Sequence, residues 1–390
     1  MTKTSSYTLL NYAVGIFFLT TPLESVSLLD NFSLAKLSSI FVLGAWLFSG
    51  MKVKKSRVLL SYLTLLLSAL ASALWSINTT NTIIATFLFL LPTVVVSAAA
   101  LASVNEEKHL RFYLICYVIG CLVVCASCLV NMEMMMKSME EADRVTTMEQ
   151  NENVLAYLLD VGISIVLYFL KKEEKIMFEI VEWILLLFFS FVLLATGSRM
   201  GGVILAVILL FYLSSVRKKH QLIILFLSAL VGVACMLPFL SENIIGRFGQ
   251  TGELIGNGDF SQRGNLWSMA WNAFFFENTA FGVGYGNYKE FIQIYYSTVY
   301  ASHNTYLSYI IEFGFVGCVV PISVLAVISV YVVKIVRMTK DVYALAFFIP
   351  LLMAMFVLET SHNRWLFIIG VMIYAWYKLL KMREVYNEGC

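Results

Sequence analysis

The chain reads as an all-α membrane protein of about twelve transmembrane helices with one large extracytoplasmic loop, and three observations predict this. Of 390 residues, 60% are hydrophobic and 13% charged, with mean hydropathy +0.81; such a composition demands repeated apolar spans of about twenty residues. Charged or turn-rich breaks divide the apolar residues into windows close to that length. Basic residues gather in alternate breaks, as the sorting of positive charge to the cytoplasmic side requires. The net charge of +2 is too small to suggest a nucleic-acid partner.

The windows run at 9–27, 31–50, 58–76, 82–103, 112–131, 154–170, 178–196, 201–216, 222–240, 314–336, 342–358 and 362–380. Lys3 precedes the first, and no small-residue cleavage site follows it, so it reads as a span rather than a removable signal. With the N-terminus inside, the inner breaks collect Lys3, the 52–57 cluster, Lys108, Arg111, Lys171, Lys172, Lys175, the 217–219 cluster, Lys334, Arg337, Lys340, Lys378, Lys381 and Arg383. These are 19 of the 27 basic residues, which places both termini in the cytoplasm. The windows group into an N-terminal bundle at 1–240, an outer loop at 241–302 and C-terminal helices at 303–390.

Cys121, Cys125 and Cys128 fall on one helical face at i, i+4 and i+7. With no His or carboxylate to complete a metal set, they read as small residues packed between spans. Neither a metal nor a cofactor motif is present in the sequence, and the scattered remaining cysteines imply no disulfide framework.

Two outer loops are long. The first, 132–153, begins Met-rich and carries six carboxylates against two basic side chains. It reads as a solvated loop with a dipping edge, or as a flexible flap beside a lipid-chain entrance. The second spans 241–302, and a segment of that size predicts short interfacial helices, here around Leu266–Phe276 and Tyr288–Tyr296. Its tryptophans and tyrosines suit a membrane–water boundary. Gly282, Gly284 and Gly286 follow no strand and open no βαβ unit, which excludes a dinucleotide loop; they call for positive φ or a close approach to a ligand.

Arginines held on the translocated side, against the sorting bias, stand out as functional candidates. Arg199 sits in Thr196-Gly197-Ser198-Arg199-Met200-Gly201-Gly202, a break so short that the guanidinium must meet an anion, line a wet cavity or snorkel to headgroups. Its fork of donors suits phosphate oxygens, and the flanking glycines would let backbone approach the same group. Arg263 heads the amphipathic stretch, and Arg247 and Arg364 lie on the same outer side. Two outer arginines converging from separate elements would clamp a diphosphate.

His303 follows Ser302, which would cap the next helix, and the positive helix end would keep the imidazole neutral and able to take a proton from a sugar hydroxyl. Asn304, Tyr306, Glu312 and the Gly314–Gly317 turn make the same stretch dense in polar groups and glycine, and Tyr285 stands in the glycine run. Asp160 lies mid-span and would pair with Arg199 or a hydroxyl. Glu359 and His362 are lesser candidates at the last outer turn.

Taken together, ATGSRMGG, then RGNLW, ENTAFGVGYGNY and SHNTYL-x4-E-x-G-x-x-G resemble the O-antigen ligase and Wzy polymerase superfamily of bacterial membrane glycosyltransferases, over about 196–317. The resemblance implies a GT-C-like, metal-independent, cofactor-free enzyme of the bacterial inner membrane. It would work on the periplasmic side on a glycan linked to undecaprenyl diphosphate. By position, Arg199 and Arg263 match the family's diphosphate-holding arginines and His303 its acceptor-activating histidine. Arg247, Asn304, Tyr285, Tyr306, Glu312, Arg364 and Asp160 are the expected substrate contacts. The expected partners are the lipid-linked donor, a glycan acceptor, membrane lipids and a chain-length regulator.

The acceptor separates the two family activities. A ligase would face phosphate-rich lipid A core and should show a basic outer surface, yet the two long outer loops are net acidic, at about −4 and −2; a repeat-unit polymerase is preferred. A lipid-linked oligosaccharide flippase, a different class, should show internal repeats and charges lining several mid-membrane helices. Neither is seen.

Overall fold

The computed structural model describes residues 3–24, 27–29, 32–130, 151–173, 175–216, 218, 220–225, 263–277, 279–297, 299–359 and 365–388. Apart from a short antiparallel pair, β1 (Ser27–Leu29) with β2 (Phe32–Ser33), their regular structure is helical. In chain order come α1 (Lys3–Thr20), α2 (Leu34–Phe48), α3 (Arg57–Ser72), α4 (Thr79–Ala85) and α5 (Leu91–Ser103). A π-helical turn at Thr86–Leu90 joins the last two. They are followed by α6 (Glu107–Val130), α7 (Glu152–Lys172), α8 (Ile176–Ala195) and α9 (Arg199–Ser215). The outer-loop region contributes α10 (Arg263–Phe274) and α11 (Tyr288–Tyr296), and the chain ends in α12 (Thr305–Gly317), α13 (Val319–Thr339), α14 (Leu345–Val357) and α15 (Trp365–Glu388).

Among the described residues, five stretches are long and apolar enough to cross a membrane: Thr79–Ser103, Glu107–Cys128, Glu152–Lys172, Ile176–Ala195 and Val319–Thr339. Shorter apolar helices occupy most of the other windows. The window at 222–240 lies almost entirely outside the described residues, and the first window ends early, because the helix stops at Thr20 and a turn and the β pair follow. α7 is the central helix, packed against α6, α8, α9 and α14. Nearly all its side chains from Leu155 to Leu170 are buried, which fits its lack of a polar face.

Local sequence explains how the elements start and stop. Ser56, Asn78, Asn151, Ser198 and Asn304 each cap a helix by accepting a hydrogen bond from a backbone N–H of its first turn. α12 is interrupted at Gly314, whose φ of 69° breaks the helical run. The segment 279–284 fills the break: Phe315 N donates to Thr279 O at 2.9 Å, Val283 N to Ile311 O at 3.0 Å and Gly284 N to Glu312 O at 3.0 Å. Gly282 (φ 75°) and Gly314 cross here backbone on backbone, and a Cβ on Gly282 would stand 2.6 Å from the Glu312 carbonyl oxygen. Gly282 and Gly314 therefore do need positive φ, and their close approach is to each other's backbone segment. Gly282→Ala and Gly314→Ala are each expected to cost about 2–4 kcal/mol and to lower the unfolding midpoint of the purified protein by several degrees. An unchanged midpoint would contradict the crossing.

Around it, Ala270, Phe274, Val283, Tyr288, Phe291, Ile292, Leu307 and Ile311 form a small apolar core of their own. The loop-region helices and the start of α12 thus share one packed unit. The expected interfacial helices appear within a few residues of their positions, and Phe275 and Phe276 project into the surroundings from the end of α10.

Candidate active site

A cleft of about 450 Å³ opens where this unit meets the bundle, a size suited to a small-molecule head group. Its walls include Asn81 from α4, Asn151 and Val154 from the start of α7, Gly286, Tyr288 and Lys289 from the glycine loop and α11, and His303, Glu312, Leu358 and Glu359.

The turn bearing His303 is braced from several sides. Trp267 Nε1 donates to Ser302 O at 2.9 Å, Thr305 Oγ1 donates to Leu358 O at 2.7 Å, and Ser302 N donates to Glu359 Oε2 at 3.2 Å. Asn304, not Ser302, is the helix cap, accepting from Leu307 N at 3.2 Å, while Ser302 Oγ accepts from Asn304 N at 3.1 Å inside the turn. The cap moves because α12 begins at Thr305, two residues later than His303. His303 itself takes φ 47°, a left-handed conformation for which a non-glycine residue costs on the order of 1 kcal/mol. Strain of this kind persists only where the surroundings impose it, and it collects at functional sites.

The imidazole lines the cleft and makes no hydrogen bond among the described residues. Burial pushes its pKa below the ordinary 6.5, the Arg263 and Lys289 charges push the same way, and Glu359 opposes them. Burial and two cations thus favour the neutral ring. A base whose pKa is lowered stays deprotonated to lower pH, so the acid limb of kcat/KM is expected below pH 6.5. Lys289→Gln removes one of the downward pushes and should move that limb upward in a pH–rate profile; a limb that stays put would remove the coupling.

Arg263, at the first residue of α10, donates through Nη1 to Val357 O at 3.3 Å, at the carbonyl end of α14. Burial lowers its pKa, yet a guanidinium stays charged at any working pH. Arg199 opens α9, half-buried, with no hydrogen bond or ion pair among the described residues. Its neighbour Ser198 donates to Asn153 Oδ1 at 2.8 Å, two residues from Asn151 of the cleft wall. Gly201 faces Ala156 of α7, where a Cβ would stand 2.7 Å from the Ala156 Cβ. That glycine therefore serves helix packing and not an approach to an anion.

The remaining expected residues divide. Glu312 lines the cleft, fully buried; its Oε1 accepts from Tyr288 N at 3.4 Å, and its Oε2 has no partner among the described residues. Burial pushes its pKa upward and the nearby Glu359 pushes the same way, against backbone N–H groups of Gly286 and Tyr288 that pull it down. Tyr306 donates to Leu352 O at 3.1 Å and stacks near Phe356, fastening α12 to α14. Tyr285 is buried against Phe313 in the main core. Asp160 is wholly buried in α7, and neither carboxyl oxygen finds a partner among the described residues, so the expected pairing with Arg199 or a hydroxyl is not observed. Arg247, Arg364 and His362 lie outside the described residues, as does most of the Met-rich loop.

Several cleft residues were absent from the expected set: Lys289, Tyr288, Asn81 and Asn151. The available signal was the polar run Asn78 to Thr82, too polar for a span. Its amides tie the glycine loop down: Asn81 Nδ2 donates to Gly286 O and to Asn287 Oδ1 at 2.9 Å, and Asn78 Nδ2 donates to Glu290 Oε2 at 2.8 Å.

Residues 184–322 match the family model described as O-antigen ligase. Over that stretch the chain is similar to the O-antigen ligase family. The match begins within α8 and ends within α13, so it takes in Arg199, Arg263, His303 and Glu312. No curated protein matches the chain.

Proposed function

We propose that this protein is an inverting membrane glycosyltransferase of that family, a Wzy-type polymerase that extends an undecaprenyl-diphosphate-linked glycan. The observation carrying this reading is a neutral, unpaired imidazole in one cleft with Lys289 and beside Arg263. A polyprenyl diphosphate is already a good leaving group, so the reaction needs charge stabilisation at the diphosphate and a base at the acceptor.

In this scheme His303 takes the proton of the acceptor hydroxyl as its oxygen attacks the anomeric carbon. The bond from that carbon to the diphosphate oxygen breaks, and the departing charge falls on Arg263 and Lys289, with Arg199 approaching from the start of α9. Displacement from the opposite face inverts the anomeric centre, and no step needs a metal. The cleft opens outward in a twelve-span, GT-C-like body with both termini cytoplasmic, in the bacterial inner membrane.

Glu312 and Tyr288 supply an uncharged wall for sugar hydroxyls, their Oε2 and hydroxyl lacking partners among the described residues. Glu312→Gln preserves that neutral shape and is expected to keep transfer within about threefold, whereas Glu312→Ala leaves the Tyr288 N–H unmatched and should cost roughly tenfold or more. Equal damage from both would show that an ionised carboxylate is needed.

The acidic outer loops favour a glycan acceptor over lipid A core. A deletion strain tests this: surface chains capped by a single repeat unit support a polymerase, and long unattached chains on the carrier support a ligase. Incubating purified protein with defined lipid-linked repeat units, with and without lipid A core, reads the same choice directly and would show whether a chain-length regulator alters the product.

A further inference from the structure

A second cleft, of about 520 Å³, lies at the opposite end of the bundle. Lys55 and Arg57 stand at its rim, Leu60 and Leu63 run down α3, and Tyr331 and Tyr374 close it from α13 and α15. Its position follows from α3: Ser72 Oγ accepts from Tyr285 N at 3.0 Å beside the glycine loop, and Arg57 begins the same helix about 22 Å away.

The chemistry here is cationic and aromatic. Neither Lys55 nor Arg57 forms a hydrogen bond or ion pair among the described residues, and no carboxylate lines the cleft. Behind Tyr331, Lys334 Nζ lies 5.2 Å from its ring centroid and 5.4 Å from that of Tyr377, so a third cation is held nearby by ring faces. Below the rim, Leu60, Leu63 and Leu67 are exposed by 62%, 41% and 57% and repeat at i, i+3 and i+7. That stripe extends about 10 Å along α3, much of the ~15 Å hydrocarbon depth of one leaflet. Val330 and Val333 add exposed apolar surface on α13, which packs against α3.

We propose that this cleft binds an anionic phospholipid, its phosphate held between Lys55 and Arg57 under the field of Lys334 and one acyl chain laid along the Leu60–Leu63–Leu67 stripe. The cations alone would suit any phosphate; the continuous apolar track selects a lipid. This site is independent of the glycosyl-transfer reading.

The test uses the purified, delipidated full chain in detergent, with bound lipid counted by native mass spectrometry. Phosphatidylglycerol should be retained over phosphatidylcholine, and Lys55→Gln with Arg57→Gln should reduce that preference by about fivefold for each charge removed. The charge-keeping pair Lys55→Arg and Arg57→Lys should retain it, which separates lost charge from lost folding. The proposal is overturned if the glutamine pair keeps the preference or the charge-keeping pair loses it. Displacement of phosphatidylglycerol by an equal concentration of glycerol phosphate would also overturn it, since the cleft would then take a soluble phosphate.

Discussion

His303→Ala is expected to abolish chain extension while the protein remains folded in the membrane, with transfer falling roughly 10²–10⁴-fold. The size of the effect follows from what the side chain does and does not touch. Its ring forms no hydrogen bond among the described residues, so its removal breaks none there, and the turn that carries it is braced by Trp267, Thr305 and Glu359 instead. Alanine keeps the Cβ that makes φ 47° costly, so the backbone strain is expected to stay about the same. Loss of activity with an unchanged unfolding midpoint is therefore the signature of a base, and normal chain lengths in a strain carrying only this variant would remove the role.

Arg263→Lys should be the second-largest loss, roughly 10²–10³-fold in transfer, although charge is conserved. The guanidinium reaches the carbonyl end of α14 through one nitrogen, donating to Val357 O at 3.3 Å, and this leaves the rest of its planar fork for a diphosphate. A lysine can satisfy the carbonyl or the anion, but it cannot present two parallel donors to the latter. Wild-type rates in Arg263→Lys would mean that only a diffuse positive field is needed. Arg199→Lys should be impaired for the same reason.

Backbone features of this protein were readable from its residues because they depend on local chemistry. Among the described residues the apolar windows are helical, the loop-region helices lie near 266–276 and 288–296, and Gly282, Gly284 and Gly286 all have positive φ. Side-chain destinations were harder. Tyr285 and Tyr306 looked like ligand contacts beside a glycine run and a catalytic turn, yet one packs on Phe313 and the other fastens two helices. A tyrosine's ring is as good a core group as a binding group, and only tertiary packing decides between them. Lys289 and Asn81 escaped notice for a different reason: the cleft joins elements some two hundred residues apart, through amide contacts such as Asn81 to Gly286, which leave no local periodicity. The capping role passed from Ser302 to Asn304 because both residue types cap well and the helix start shifted by two.

The most direct measurement is equilibrium binding of a polyprenyl diphosphate to the purified wild-type protein, Arg263→Ala and His303→Ala. If Arg263 grips the leaving group and His303 acts on the acceptor, binding should weaken by tenfold or more in the arginine variant and stay near wild type in the histidine variant. Unchanged binding in Arg263→Ala, or a loss confined to His303→Ala, would contradict the division of labour on which the proposed reaction depends.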